Sequence, residues 1–183
     1  MTSNPIQQLA DRAMQLFKDD EFEQAADLFQ QAAEEYQESG ETNLAAEARN
    51  NQSVALLQAG NPEGALSAVL GTETIFAESG DGIRQAQALG NQAAAHEALH
   101  HLDQAANLYL QAAEIFKSSN ELDFFSLVMK NVSSIRMRQR KFLDSLFAMN
   151  HALSVKSKLT FRERIIRSLS NLAFRMFNRP PAI

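Results

Sequence analysis

Phe22-Glu23-Gln24-Ala25 returns as Pro62-Glu63-Gly64-Ala65, as Leu102-Asp103-Gln104-Ala105 and as Phe142-Leu143-Asp144-Ser145, each step being forty residues. A fixed period of this size marks a repeat architecture, in which one unit cannot bury its own apolar face and must stack on neighbours. The period extends outward from these four stretches. Ala13, Ser53, Ala93 and Ser133 form a column of small residues. Phe29, Val69, Tyr109 and Met149 form a large apolar column, and Tyr36, Phe76 and Phe116 another, broken at Lys156. Asn51, Asn91 and Asn131 keep the same step, with Asp11 as the acidic first member.

Helix punctuation repeats with the columns. Gly40, Gly80 and Asn120 each follow an amphipathic run and are residue types that accept the left-handed conformation ending a helix. Asp20 with Glu23 reads as a capping box, and Asn61-Pro62 as an N-cap with proline at the first helical position. Each unit is therefore two helices, predicted over 4–18 and 21–38, 42–59 and 62–78, 82–99 and 102–119, and 121–139 and 142–157. The four repeats span about 4–40, 41–80, 81–120 and 121–159 of a single domain. A last helix is predicted over 161–177, where Phe161, Ile165, Leu169, Leu172 and Met176 recur at helical spacing beside Ile166, Ala173 and Phe177, and Pro180-Pro181 stops it. Its apolar stripe is expected to pack on the last pair and its arginines to face water.

Composition agrees with an all-α chain. Of 183 residues, 45% are hydrophobic and 21% charged, with seven Gly, four Pro and no Cys. The missing cysteine excludes disulfides, thiolate metal sites and cysteine nucleophiles, and fits a reducing, cytoplasmic home. Residues 1–12 are polar, without the apolar stretch of a signal peptide, and no run approaches the roughly 18 apolar residues of a membrane span. Charge is divided: residues 1–100 hold 4 basic and 16 acidic side chains, net −12, and residues 101–183 hold 13 and 6, net +7. Such polarity speaks of partners and association rather than of fold.

With these columns the chain resembles the tetratricopeptide repeat (TPR) family over about 4–157. Ala13, Ser53, Ala93 and Ser133 match its small site in the first helix, and Phe22, Leu102 and Phe142 its bulky site opening the second, Pro62 departing. Ala25, Ala65 and Ala105 match its alanine, with Ser145 conservative, and Ala32, Ala112 and Ala152 a second small site, with Thr72 departing. The forty-residue period looks like the long-helix variant of kinesin-light-chain-like and G-protein-modulator-like adaptors. The resemblance implies an α-solenoid of four helix-turn-helix repeats closed by a capping helix. In the fourth, Arg138-Gln139-Arg140-Lys141 replaces the expected Gly/Asn/Asp turn, so the resemblance does not carry the turn geometry over to that repeat.

The resemblance further implies a non-catalytic adaptor whose first helices line a concave peptide groove. The residues that fall there are Gln7, Asp11, Glu47, Asn50, Asn51, Gln58, Gln87, Asn91, Lys130, Asn131, Ser134 and Arg138. Amides dominate the middle of this stripe and offer both donors and acceptors, which suits an extended peptide backbone or a polar helix. Gly90, Ala94 and Ala98 leave room for a ligand side chain. The carboxylate clamp of chaperone adaptors needs Lys and Asn where this chain has Ala10 and Met14, then Asn50 and Val54. Capture of an acidic chaperone tail is therefore not expected.

His96-Glu97-Ala98-Leu99-His100 spells H-E-x-x-H, the helical zinc motif of metalloproteases. No well-placed third ligand accompanies it, and the repeat frame accounts for each position, so the expectation is no enzyme, no cofactor and at most adventitious metal on His96, His100 and His101. Arg140, Lys141, Arg162, Arg164, Arg167 and Arg175 form a basic patch at the C-terminal end. An acidic partner protein, an anionic membrane surface, or the acidic first repeat of another copy would each answer it, giving a scaffold that acts through this end as the alternative function. Nucleic acid is disfavoured, because the aromatics lie at helix-core spacing.

Overall fold

Connections between helices turn on single residues with left-handed backbones, and these fall at twenty-residue intervals. Asp20 (φ 61°), Gly40 (80°), Gly60 (77°), Gly80 (75°), His100 (61°), Asn120 (59°) and Arg140 (61°) share the conformation. In each turn the following N–H reaches back five residues to a helical carbonyl, as in Glu21→Leu16 at 2.9 Å, Glu41→Tyr36 at 2.8 Å and Lys141→Arg136 at 2.8 Å. These bonds satisfy carbonyls that a helix end leaves bare. The computed structural model describes residues 4–176, so Phe177 and Pro180-Pro181 lie outside the described residues. The helices are α1 (Pro5–Lys18), α2 (Phe22–Glu38), α3 (Thr42–Gln58), α4 (Pro62–Val69), α5 (Thr72–Glu78), α6 (Gly82–Ala98), α7 (Leu102–Ser118), α8 (Leu122–Arg138), α9 (Phe142–Ser154) and α10 (Phe161–Met176).

Several expectations are corrected. Asp20 is the left-handed residue itself and not an N-cap; α2 is entered from Glu21 without a side-chain cap. The helix expected over 62–78 is broken between α4 and α5, where Gly71 takes φ 83° and Leu70 is extended. Thr72, the departure from the alanine column, is buried there and its hydroxyl donates to the Val69 carbonyl at 2.7 Å. The fourth repeat keeps the common turn, because Arg140 accepts the left-handed conformation that Gly and Asn adopt elsewhere. Asn61 caps α4 as expected, accepting from the Gly64 N–H at 2.9 Å.

Two compact units divide after His101. In the first, α3 packs on α2 before it and on α4, α5 and α6 after it. Phe29 and Tyr36 of α2 sit among alanines: Ala13, Ala25, Ala26 and Ala55 around the one, Ala32, Ala33, Ala45 and Ala48 around the other. Small facing residues let the helices approach closely while the two rings supply the buried area. Val69, Phe76, Ala46 and Ala88 continue that core. In the second unit α7 packs on α8, α8 on α9 and α9 on α10, over buried Tyr109, Phe116, Phe125, Val132, Ile135 and Leu153. Met149 and Lys156, where two columns weaken, are half-buried.

The last helix differs most from expectation. It packs on α9 through Ser170, Ala173 and Phe174, with Phe174 stacked on Phe147 at 4.4 Å. The predicted stripe points away: Phe161, Ile165, Leu169, Leu172 and Met176 are 74, 45, 53, 55 and 71% exposed. The connection explains the rotation. The residue twenty past Arg140 is Thr160, whose branched Cβ disfavours a left-handed backbone. The chain instead leaves α9 at Ser154, ahead of the predicted 157, and crosses residues 155–160 in a longer link. Thr160 then caps α10: its hydroxyl accepts from the Glu163 N–H at 3.3 Å, while Glu163 accepts from the Thr160 N–H at 2.9 Å.

Candidate peptide-binding groove

The first unit brings together the middle of the predicted stripe. Helices α3 and α6 lie side by side, and forty-residue spacing sets Glu47 and Asn51 of α3 against Gln87 and Asn91 of α6, with Asn50 beside them. With Glu47, Phe76 and Arg84 they line a cavity of about 330 Å³. Buried Asn50 donates its Nδ2 to the Ala46 carbonyl at 3.1 Å, which fixes its rotamer. Its Oδ1 then accepts from Asn91 Nδ2 at 3.2 Å. Half-buried Asn51 and exposed Gln87 lie in the wall without a hydrogen bond among the described residues. Asn50 and Asn91, held this way, present their remaining hydrogen-bonding groups at fixed positions, at little further entropic cost to a ligand.

One cation at the mouth answers two carboxylates. Arg84 Nη2 meets Glu47 at 3.2 Å and its Nη1 meets Asp81 at 3.2 Å, while the Arg84 N–H is capped by Asp81 at 3.0 Å. Arg84 and Phe76 are absent from the predicted set. Arg84 sits one turn before Gln87 on the same face, and Phe76 belongs to the aromatic column, so the helical period could have found both.

The remaining predicted residues are placed differently. Gln7 on α1 accepts from the Tyr36 hydroxyl at 3.2 Å and donates to Asp11 at 2.9 Å, so these two brace the first repeat; burial, ahead of nearby Glu41, pushes the Tyr36 pKa up. Gln58 is exposed at the end of α3. On α8 of the second unit, Lys130 and Asn131 are half-buried and Ser134 and Arg138 exposed, beside exposed Phe124 and Leu127. In the basic patch Lys141 meets Asp103 at 3.3 Å, as does Arg136 at 3.5 Å, and Arg164 donates to the Leu159 carbonyl at 3.3 Å. Arg140, Arg162 and Arg175 are exposed and Arg167 is half-buried.

A second concavity lies outside the predicted stripe. Helices α7, α8 and α9 enclose an apolar cleft of about 420 Å³, with Leu110, Met129, Val132 and Phe147 in its walls. Eighty residues earlier the same positions hold Gln30, Arg49, Gln52 and Ser67, and the equivalent cleft of the first unit is polar. Reading only the inner face of the repeats concealed it, although that substitution pattern was visible.

The zinc-protease lookalike does not survive the geometry. α6 ends at Ala98 and His100 is the left-handed turn residue, so the two motif histidines are not stacked one turn apart on a helix. His96 instead has its Nδ1 3.3 Å from that of His101, and burial, then His101, lowers its pKa. Among the described residues no three His, Asp or Glu side chains gather as a metal site, and no helix is long and apolar enough to cross a membrane.

Comparison with known proteins agrees with this architecture. The chain is similar to the crystal structure of BtubC (BKLC) from P. vanneervenii, with 18% identity and a TM-score of 0.74 over 94% of this chain and 74% of that one. It is also similar to a putative kinesin light chain from Podosopora anserina with nearly identical TPR-like repeats, at 11% identity and TM-score 0.54 over 98% of this chain and 100% of that one. At such identities the likeness speaks to fold alone: an all-α solenoid of TPR-like helix-turn-helix repeats. No curated protein matches the sequence. Residues 6–158 match the description "Soluble NSF attachment protein, SNAP". That match takes in all four repeats and stops before α10, and the chain belongs to the soluble NSF attachment protein family.

Proposed function

We propose that the protein is a non-catalytic, cytoplasmic adaptor that holds a polar peptide segment of a partner protein in the groove between α3 and α6. TPR-like helical repeats generally mediate protein–protein interaction, and this fold supplies the general role. The observation that carries the finer reading is the amide cluster of the 330 Å³ cavity, where Asn50 orients Asn91 and leaves Asn51 and Gln87 facing the space. An extended backbone alternates N–H and C=O groups, and amide side chains answer both. Arg84 answers Glu47 and Asp81 at the mouth and leaves at most one carboxylate in excess, so a segment without strong negative charge suits it.

Affinity capture from the native cell, with quantitative mass spectrometry, compares the protein with its Asn51→Ala/Asn91→Ala variant. The expected result is a set of proteins retained by the first and depleted at least tenfold by the second, with equal far-UV helicity. Equal capture by both would sink the groove reading. A second reading, a scaffold acting through the basic end, is favoured by one observation: the apolar row of α10 is exposed and bordered by exposed arginines.

A further inference from the structure

The exposed row of α10 has counterparts in the earlier first helices, and there it is covered. Forty residues before Ile165, Leu169 and Leu172 stand Phe125, Met129 and Val132 of α8, each no more than 6% exposed. Eighty before Leu172 is Gln92 of α6, bonded to Glu73 on the preceding α5. A further forty back is Gln52 of α3, bonded to Gln30 on the preceding α2 at 3.3 Å. This face is therefore the one by which a first helix packs on the second helix before it. The columns one residue on, about 100° around the helix, face the helix that follows, as Ser126 and Ser133 do when they bond to Ala152 and Ser145 of α9. The counterparts of those serines on α10 are Ile166 and Ala173, and it is Ala173, with Ser170 and Phe174, that meets α9. So α10 gives α9 the face that α8 turns to the helix following it, and among the described residues nothing covers its helix-receiving face.

We propose that this open face of α10 docks an acidic amphipathic helix of a partner protein. The spacing of Ile165, Leu169, Leu172 and Met176 is four, three and four residues, the seam that interdigitates with a facing helix. At 100° per residue, Arg162 borders the seam on one side and Arg164 and Arg175 on the other, all three exposed. An apolar seam between cations selects a partner helix with an apolar stripe and carboxylates beside it. A second copy meets this poorly: its own α10 brings the same arginines, and its acidic α2 has no large apolar side chain exposed. A bilayer surface tolerates apolar residues beside arginines, but it does not call for the columns of a helix–helix contact.

The probe is a fluorescein-labelled peptide of residues 22–38, whose five carboxylates and no cation accompany the apolar face that receives α3 in the first unit. Anisotropy titration of the full chain is expected to show saturable binding that weakens severalfold from 0.05 to 0.5 M salt. A peptide with its Asp and Glu changed to the amides should bind at least tenfold more weakly, as should Leu169→Glu/Leu172→Glu protein. Both leucines are more than half exposed, so the variant should keep its helicity. The Asn51→Ala/Asn91→Ala variant should bind the peptide normally, which separates this site from the groove. No binding, or binding unchanged in the leucine variant, overturns the proposal. So does flotation with phosphatidylserine vesicles that the leucine variant loses while the peptide fails to bind, which would assign the face to a membrane. Dimerisation abolished by the same variant, without peptide binding, would assign it to a second copy.

Discussion

A hydroxyl decides how well the small column fits. Ala13, Ser53 and Ala93 are fully buried at equivalent sites, and the Ser53 Oγ has no hydrogen-bond partner among the described residues. Ser133, in the same column, donates to the Ser145 carbonyl at 2.9 Å. A buried polar group without a partner costs roughly 1–3 kcal/mol, whereas a made bond contributes about 1 kcal/mol. Ser53→Ala should therefore stabilise the protein by about 1 kcal/mol in urea unfolding, and Ser133→Ala should destabilise it by a similar amount. The turn residues allow a parallel test. Arg140 pays for its φ of 61° where Gly40, Gly60 and Gly80 do not, and Arg140→Gly should raise stability by roughly 0.5–1 kcal/mol. The period revealed where these turns fall, but not that Arg140 would adopt the shared conformation, because residue type alone argues against it.

Helix ends carry the pH dependence. The Lys156 ammonium 2.6 Å away, and the Thr160 N–H, hold the Glu163 pKa at about 2, well below the usual carboxylate range. A carboxylate lowered in the folded state stabilises it fully above the unfolded pKa near 4.5, and that contribution is lost as pH falls through about 2. Circular dichroism melts of the protein and its Glu163→Gln variant should thus differ at pH 6 and converge toward pH 2. The pair is only half-buried and still meets solvent, so added salt should narrow the gap at pH 6. Nine stretches were legible as helix from their periodicity, and the exceptions are local. Gly71 left a helical signal intact across Pro62–Glu78 while the backbone broke. Thr160 changed a turn, and with it which side of α10 met α9; periodicity gives a helix two apolar faces without ranking them.

Over the whole molecule, the two units part after His101. In stacked repeats a deletion is felt by immediate neighbours first. Phe29→Ala, a fully packed ring in the first unit, should cost about 3–5 kcal/mol. Hydrogen-exchange mass spectrometry should place the lost protection in residues 4–101 and leave 102–176 close to the parent. Repeat number, helix pairing and the nearness of Asn51 to Asn91 were legible because each follows from the forty-residue step, whereas the bond that Asn91 makes is to Asn50, one residue out of that register. Arg84, Phe76 and the apolar cleft lay within reach of the same columns but outside the inner stripe of amides, and only the packed side chains single them out as walls of a hollow. The twenty-residue metre of left-handed hinges also limits how such a chain can change length. Losing one residue inside α3 would swing every later side chain of that helix by about 100° and carry the amides out of their hollow. Copying a forty-residue pair between two hinges would leave every existing neighbour facing as before, so growth by whole pairs is the cheap mutation for this protein and trimming within a helix the ruinous one.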